Sequence, residues 1–140
     1  MTSETIIRRF FADVRSGKKP DKAHQYMAEK VLAHQVIAEE EQTIYRTPED
    51  YATHVKEMVA AYGHFSLDIQ ELLASENKVY VRWRQTGTHI GEVDGYQPTK
   101  RPIIEIASAV YKLENDKIIE YWIQIDRLGI QKQLERNQEK

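Results

Sequence analysis

The sequence predicts an α+β fold, with helices first and a curved antiparallel sheet wrapped around them afterwards. Three observations carry this. Apolar residues in the first half recur at helical spacing, the apolar period changes to two from His64 onward, and the later strands are joined by short turns rather than helices. Helices followed by hairpins indicate α+β rather than the alternation of an α/β fold.

Each element follows from local chemistry. Ile6, Ile7, Phe10, Phe11 and Val14 share one helical face, and Gly17 ends that helix. Pro20 and Asp21 open a short second helix carrying Ala23, Tyr26 and Met27. The third helix has the clearest start. Thr47 stands as N-cap, Pro48 takes the first helical position, and Glu49 and Asp50 put negative charge at the positive end of the dipole. Tyr51, Val55, Met58, Val59 and Tyr62 form its apolar stripe, and Gly63 stops it. On this reading the first half is helical. Phe65, Leu67 and Ile69 then alternate with polar residues, and the run SENK turns the chain into a strand over residues 79–88. A loop, GEVDGYQPTKRP, follows. Two more strands over 103–113 and 117–125 meet at Asn115-Asp116, and LGIQKQL forms a closing helix.

The composition bounds the function. The 140 residues make a single domain, 1–140, of 41% hydrophobic and 30% charged residues, ordinary for a globular chain. A formal net charge of -2 offers no general attraction to nucleic acid or anionic lipid. The absence of cysteine excludes disulfides, thiolate metal sites and cysteine catalysis. No apolar run reaches the length of a spanning helix, and MTSETIIRRFF lacks the pattern of a signal peptide, so the default expectation is a cytoplasmic protein.

The last hairpin poses the sharpest question, because Asp126 ends an apolar strand. With a two-residue turn at Asn115-Asp116, counting pairs Leu113 with Ile118, Tyr111 with Glu120, Ala109 with Trp122, Ala107 with Gln124, and Glu105 with Asp126. One face then holds two alanines beside Trp122, then Gln124 and two carboxylates, as a pocket wall would. The other face, with Tyr121, Ile123 and Ile125 beside Ile106, Ser108 and Val110, is apolar and needs a cover, which a second subunit supplies. Two close carboxylates repel, and a carboxyl tuned in that way suits proton transfer to or from carbon.

The runs GTHIGEVDGYQPTKR and NDKIIEYWIQIDRLGIQKQL together resemble the SnoaL-like polyketide cyclases, or ester cyclases, of the NTF2-like superfamily. The resemblance covers most of the chain and is densest from Val81 to Leu134. It implies a cone-shaped fold with a pocket between helices and concave sheet, commonly in a homodimer packed sheet to sheet. It implies a small hydrophobic ligand, no metal and no organic cofactor. By the same resemblance Asp126 is a general acid/base in intramolecular aldol ring closure, and His34 matches a pocket histidine. The strand 103–113 has Glu105 where some cyclases carry a histidine.

Simpler readings stand beside these. Asp126 is also placed to cap the last helix, Glu105 to pair with Arg101 or Lys132, and His34 to be a satisfied buried histidine. His89 serves either the ligand or the loop, and Trp83 and Trp122 read as core or pocket wall. The sequence therefore carries three functions: a cofactor-free enzyme using Asp126 and His34 on a small carbonyl compound, with Glu105, Trp122, Gln124, Trp83 and His89 around the ligand; an epoxide or lactone hydrolase, which needs Arg82 or Arg84 to point inward; and a non-catalytic ligand-binding dimer.

Overall fold

The computed structural model describes residues 1–139. Helix α1 (Ser3–Phe10) runs on through a wider π-helical turn, Phe11–Arg15, and a 3-10 turn at Pro20–Lys22 leads into the one-turn helix α2 (Ala23–Tyr26). Strands β1 (Met27–Ile37) and β2 (Glu40–Arg46) precede α3 (Pro48–Tyr62). Then come β3 (Ser66–Ser75), β4 (Lys78–Thr88), β5 (Pro102–Glu114), β6 (Lys117–Ile125) and α4 (Arg127–Gln138). The six strands form one sheet in the order β2-β1-β6-β5-β4-β3, antiparallel except where β1 lies parallel to β6. The α+β architecture is as expected; the sheet is mixed rather than purely antiparallel.

Local signals decided much of this. Thr47 and Asp50 form a reciprocal capping box at the start of α3, with Pro48 behind the cap, and Gly63 ends the helix at a φ of 71°. Asn115 and Asp116 both take positive φ, 52° and 62°, the geometry of a tight two-residue hairpin turn.

The first half is not all helix. Strands β1 and β2 occupy residues that show no sustained period-two pattern, because their outer face carries polar and apolar residues mixed. Both strands owe their place to pairing: β1 finds β6 almost ninety positions further along the chain.

The core fills the concave side of the sheet. Phe10 and Phe11 pack edge-on against Tyr111 and Trp83, at centroid distances of 5.7 and 5.2 Å. Each such buried ring contributes roughly 1.5–3 kcal/mol. Gly17 lets the chain after the π-helical turn lie against α3: its φ is 82°, and a Cβ there would lie 2.8 Å from the Val59 side chain. No described helix is long and apolar enough to cross a membrane.

Candidate functional site

The core does not fill the whole cone. Toward the end covered by α3 and α4, the sheet and helices enclose a cavity of about 700 Å3. Its floor is the concave face of β6 and β1, with Tyr121, Ile123, Ile125 and Gln35; α3 adds Tyr51, His54, Met58 and Tyr62, and α4 adds Arg127, Ile130, Gln131 and Leu134. Arg46, Asp94 and Tyr96 also line it, and Arg15 and Glu105 lie at its inner wall.

The polar centre of this cavity is an arginine on a carboxylate. Arg15 Nη2–H donates to Glu105 Oε1 at 3.1 Å, and Nη1–H donates to Gln85 Oε1 at 2.8 Å. Arg15 is 3% exposed and Glu105 7%. The guanidinium lies 5.3 Å from the Trp83 ring and 6.0 Å from that of Phe65, so aromatic faces support the buried cation. Gln85 and Glu105 are direct cross-strand partners on β4 and β5, and both project from the concave face. Among the described residues Glu105 Oε2 has no protein hydrogen bond.

Arg15 continues a pattern visible in the letters. The stripe 6, 7, 10, 11, 14 runs on to 15, so the helical period itself carries an arginine into the apolar interior. That was the available signal for a buried charge. Arg46 and Gln35 carried no comparable signal, since they depend on strands β1 and β2.

The surroundings tune the remaining groups. Burial pushes the Tyr62 hydroxyl up to about 12, and the charges of Glu105 and Asp94 add to this. Burial likewise raises Tyr51 and Tyr121. These three phenols thus remain hydrogen-bond donors at neutral pH. The His54 ring is pushed down to about 4, first by loss of water and then by the positive charges of Arg46 and Arg15. His54 is still partly exposed at the cavity rim, so water screens some of this.

Most of the residues singled out in the sequence lie elsewhere. A bulge at Ile119 breaks the counted register: Leu113 still faces Ile118, but Lys112 faces Glu120, Tyr111 faces Tyr121, Val110 faces Trp122, and Ser108 faces Gln124. One extra residue turns the rest of β6 over. Tyr121, Ile123 and Ile125, expected at a subunit contact, line the cavity. Trp122, Gln124 and Asp126, expected on the pocket wall, belong to the outer line of the strand.

Asp126 is exposed and caps α4, with Oδ1 accepting from Gly129 N–H at 2.8 Å. A Cβ at position 129 would collide with that carboxylate, which explains the glycine. His34 sits on the convex face of β1, stacked on Trp122 at 5.1 Å and 14°. Its Nε2 lies 2.6 Å from Glu120 Oε2, and its Nδ1 lies 2.8 Å from Thr43 Oγ1 and 3.1 Å from Glu41 Oε1. Trp83 is fully buried behind Arg15, and His89 is fully buried beyond the cavity, its backbone bonded to Lys100 and Arg101. Arg82 and Arg84 point outward and are exposed. Of the residues expected at the ligand, Glu105 alone lines the cavity, and its partner is Arg15 rather than Arg101 or Lys132.

Comparison with known proteins agrees with the fold. The sequence profile of the family described as SnoaL-like polyketide cyclase matches residues 5–134. A candidate polyketide cyclase from Acidithiobacillus ferrooxidans superposes with a TM-score of 0.84 at 26% identity, over 96% of this chain and 95% of that one. IdmH, a candidate polyketide cyclase from Streptomyces antibioticus, gives 0.80 at 19% identity, over 96% and 99%. An epoxide hydrolase from M. tuberculosis, of the LEH-like kind, gives 0.70 at 14% identity, over 97% and 91%. No curated protein matches this chain in sequence.

Proposed function

Given that the chain belongs to the SnoaL-like polyketide cyclase family, we propose that it is an enzyme acting in this cavity on a small, largely apolar carbonyl compound. The reaction is proton transfer to and from carbon, and Glu105 rather than Asp126 is the general acid/base. One observation carries the reading: Glu105 is buried at the cavity wall, with one oxygen held by Arg15 and the other without a protein partner.

The chemistry follows from that arrangement. Glu105 Oε2 accepts a proton from a carbon next to the substrate carbonyl, and the C–H electron pair moves into the carbonyl to give an enolate. The Tyr62 hydroxyl, kept protonated by burial, donates to the enolate oxygen. The enolate carbon then bonds to a second carbonyl carbon of the same molecule, and the resulting alkoxide takes the proton back from Glu105. Returning the proton to a different carbon instead gives isomerisation. Both routes balance without a cofactor.

The matching experiment measures turnover of a diketone that closes by aldol addition. Glu105→Gln should lower kcat by about 10²–10⁴-fold, and Asp126→Asn should leave it near that of the unmodified protein. Full activity in Glu105→Gln would overturn the assignment.

The Arg15–Glu105 pair also favours a second reading, hydrolysis of an epoxide or lactone. The inward arginine it calls for comes from the π-helical turn after α1 instead of from Arg82 or Arg84. Glu105 would take a proton from water as the water oxygen bonds to the electrophilic carbon; the ring C–O bond breaks, and its oxygen, accepting a hydrogen bond from the Tyr62 hydroxyl, takes the proton back from Glu105. Release of a diol from an epoxide probe, with no aldol product, distinguishes this chemistry.

The convex sheet face supports a homodimer. It presents Trp122, Val110, Tyr80 and the half-exposed Ile106 on adjoining strands. Ile106→Glu should then halve the mass seen by sedimentation, and a monomeric unmodified protein would rule the dimer out.

A further inference from the structure

The charges of the cavity wall do not balance locally. Arg15 is neutralised by Glu105, but Arg46 and Arg127 also line the cavity, and among the described residues no carboxylate lies within ion-pair distance of either. Arg127 is held by two neutral acceptors: Nη1–H donates to the Val36 carbonyl at 3.0 Å, and Nη2–H donates to Gln35 Oε1 at 2.9 Å. These bonds fix its direction and leave its charge uncompensated. Arg127 also occupies the first position of α4, where the helix dipole disfavours a cation. The Nε of Arg46 is buried without a hydrogen-bond partner, which costs stability, so it is the other nitrogens of this guanidinium that meet the cavity. The positive field of Arg46 is felt nearby, since it lowers the proton affinity of both His54 and Tyr121.

Folding alone gives no reason to place two such cations around a cavity. We propose that Arg46 and Arg127, the latter held in place by Gln35, form an anion subsite that receives a carboxylate of the substrate. The apolar body of that substrate lies against Ile123, Ile125, Ile130 and Leu134. The ligand class is then an oxo-acid with an apolar body, rather than a neutral ketone or ester. Guanidinium forks suit this task because they pair with both carboxylate oxygens at once. The inference rests on the cavity being the substrate site, and it does not depend on which residue moves the proton.

The test is binding without turnover. Naphthalene-2-carboxylate and its amide are titrated calorimetrically into the unmodified protein. The two probes share one apolar body and differ in charge. The carboxylate should bind about tenfold or more tightly than the amide. Arg127→Gln and Arg46→Gln should each abolish most of that preference, and Arg46→Lys, which keeps the charge, should retain part of it. Glu105→Gln should preserve the preference even when turnover is lost, which separates failure of the subsite from failure of the acid/base assignment. Equal affinity for the two probes overturns the proposal. So does a preference that survives both glutamine variants, or no saturable binding of the carboxylate at millimolar concentration.

Discussion

The two faces of the one sheet carry similar kinds of charge in opposite settings. On the concave face, a carboxylate on β5 meets an arginine, and both are almost completely buried. On the convex face, His34 lies between Glu120 and Glu41 with its ring against Trp122, and the Glu41 side chain is 54% exposed. Removing one partner from the concave pair leaves a buried charge unmatched, whereas water can replace Glu41 on the convex side, although His34 and Glu120 there are only 11% and 20% exposed. The difference separates a site from a surface more reliably than residue type does, since a histidine and two carboxylates look more like catalytic machinery than an arginine and a glutamate.

That contrast can be broken by substitution. The largest effect is expected for Arg15→Met, which strands Glu105 without its cation and should cost about 3–5 kcal/mol in urea unfolding. Adding Glu105→Gln to Arg15→Met should recover part of the loss, because the remaining buried group is then neutral. The convex counterpart, Glu41→Gln, should cost about 0–1 kcal/mol. Equal losses for Arg15→Met and Glu41→Gln would remove the distinction between the faces.

A middle-sized effect is expected where the two faces meet. Asp126→Ala removes the cap of α4 and should cost about 1 kcal/mol in the same unfolding experiment. Asp126→Asn, which can still accept from Gly129 N–H, should cost less. A large loss of turnover in Asp126→Asn, with stability intact, would return the acid/base role to Asp126.

The smallest effect concerns His54 at the cavity rim. Its folded pKa of about 4 lies below the ordinary value of 6.5, so the unfolded chain binds this proton more readily. Its contribution to stability is therefore complete above about pH 6.5. It declines as the pH falls through that value and levels off below about 4. His54→Asn should flatten the stability profile across this window, as read from melting temperatures at a series of pH values. An unchanged profile would show that the ring keeps its water at the rim, which also screens the two arginines.

The candidate site was partly legible in the sequence. Glu105 was recognisable as a carboxylate facing inward from β5, since its strand alternates with Ala107, Ala109 and Tyr111. Arg15 lay on a helical stripe already drawn from Ile6 to Val14, one step beyond its last member. Arg46 and Gln35 were beyond reach, because β1 and β2 have no clear period and are held by pairing with distant residues. Trp122, Gln124 and Asp126 were placed on the wrong face although the turn beside them was read correctly. The count of pairs held at Leu113 and Ile118 and failed at the next step.

What the sequence by itself determined was therefore local. It included the capped start of α3, its glycine stop, the period-two strands β3 to β5 and the Asn115-Asp116 turn that follows them. Each of these depends on interactions within a few residues, where side-chain chemistry and backbone preference act directly. It also carried the family, through motifs between Gly87 and Leu134, and the family profile matches residues 5–134. The tertiary structure decided which side of β6 meets the cavity and which cation meets Glu105. A bulge of one residue inverts a strand at little local cost, and it is selected by the packing of Tyr121, Ile123 and Ile125, on the inner side of the sheet, with the core. The Arg15–Glu105 contact joins positions ninety residues apart, so it comes into being only when α1 lies across the finished sheet.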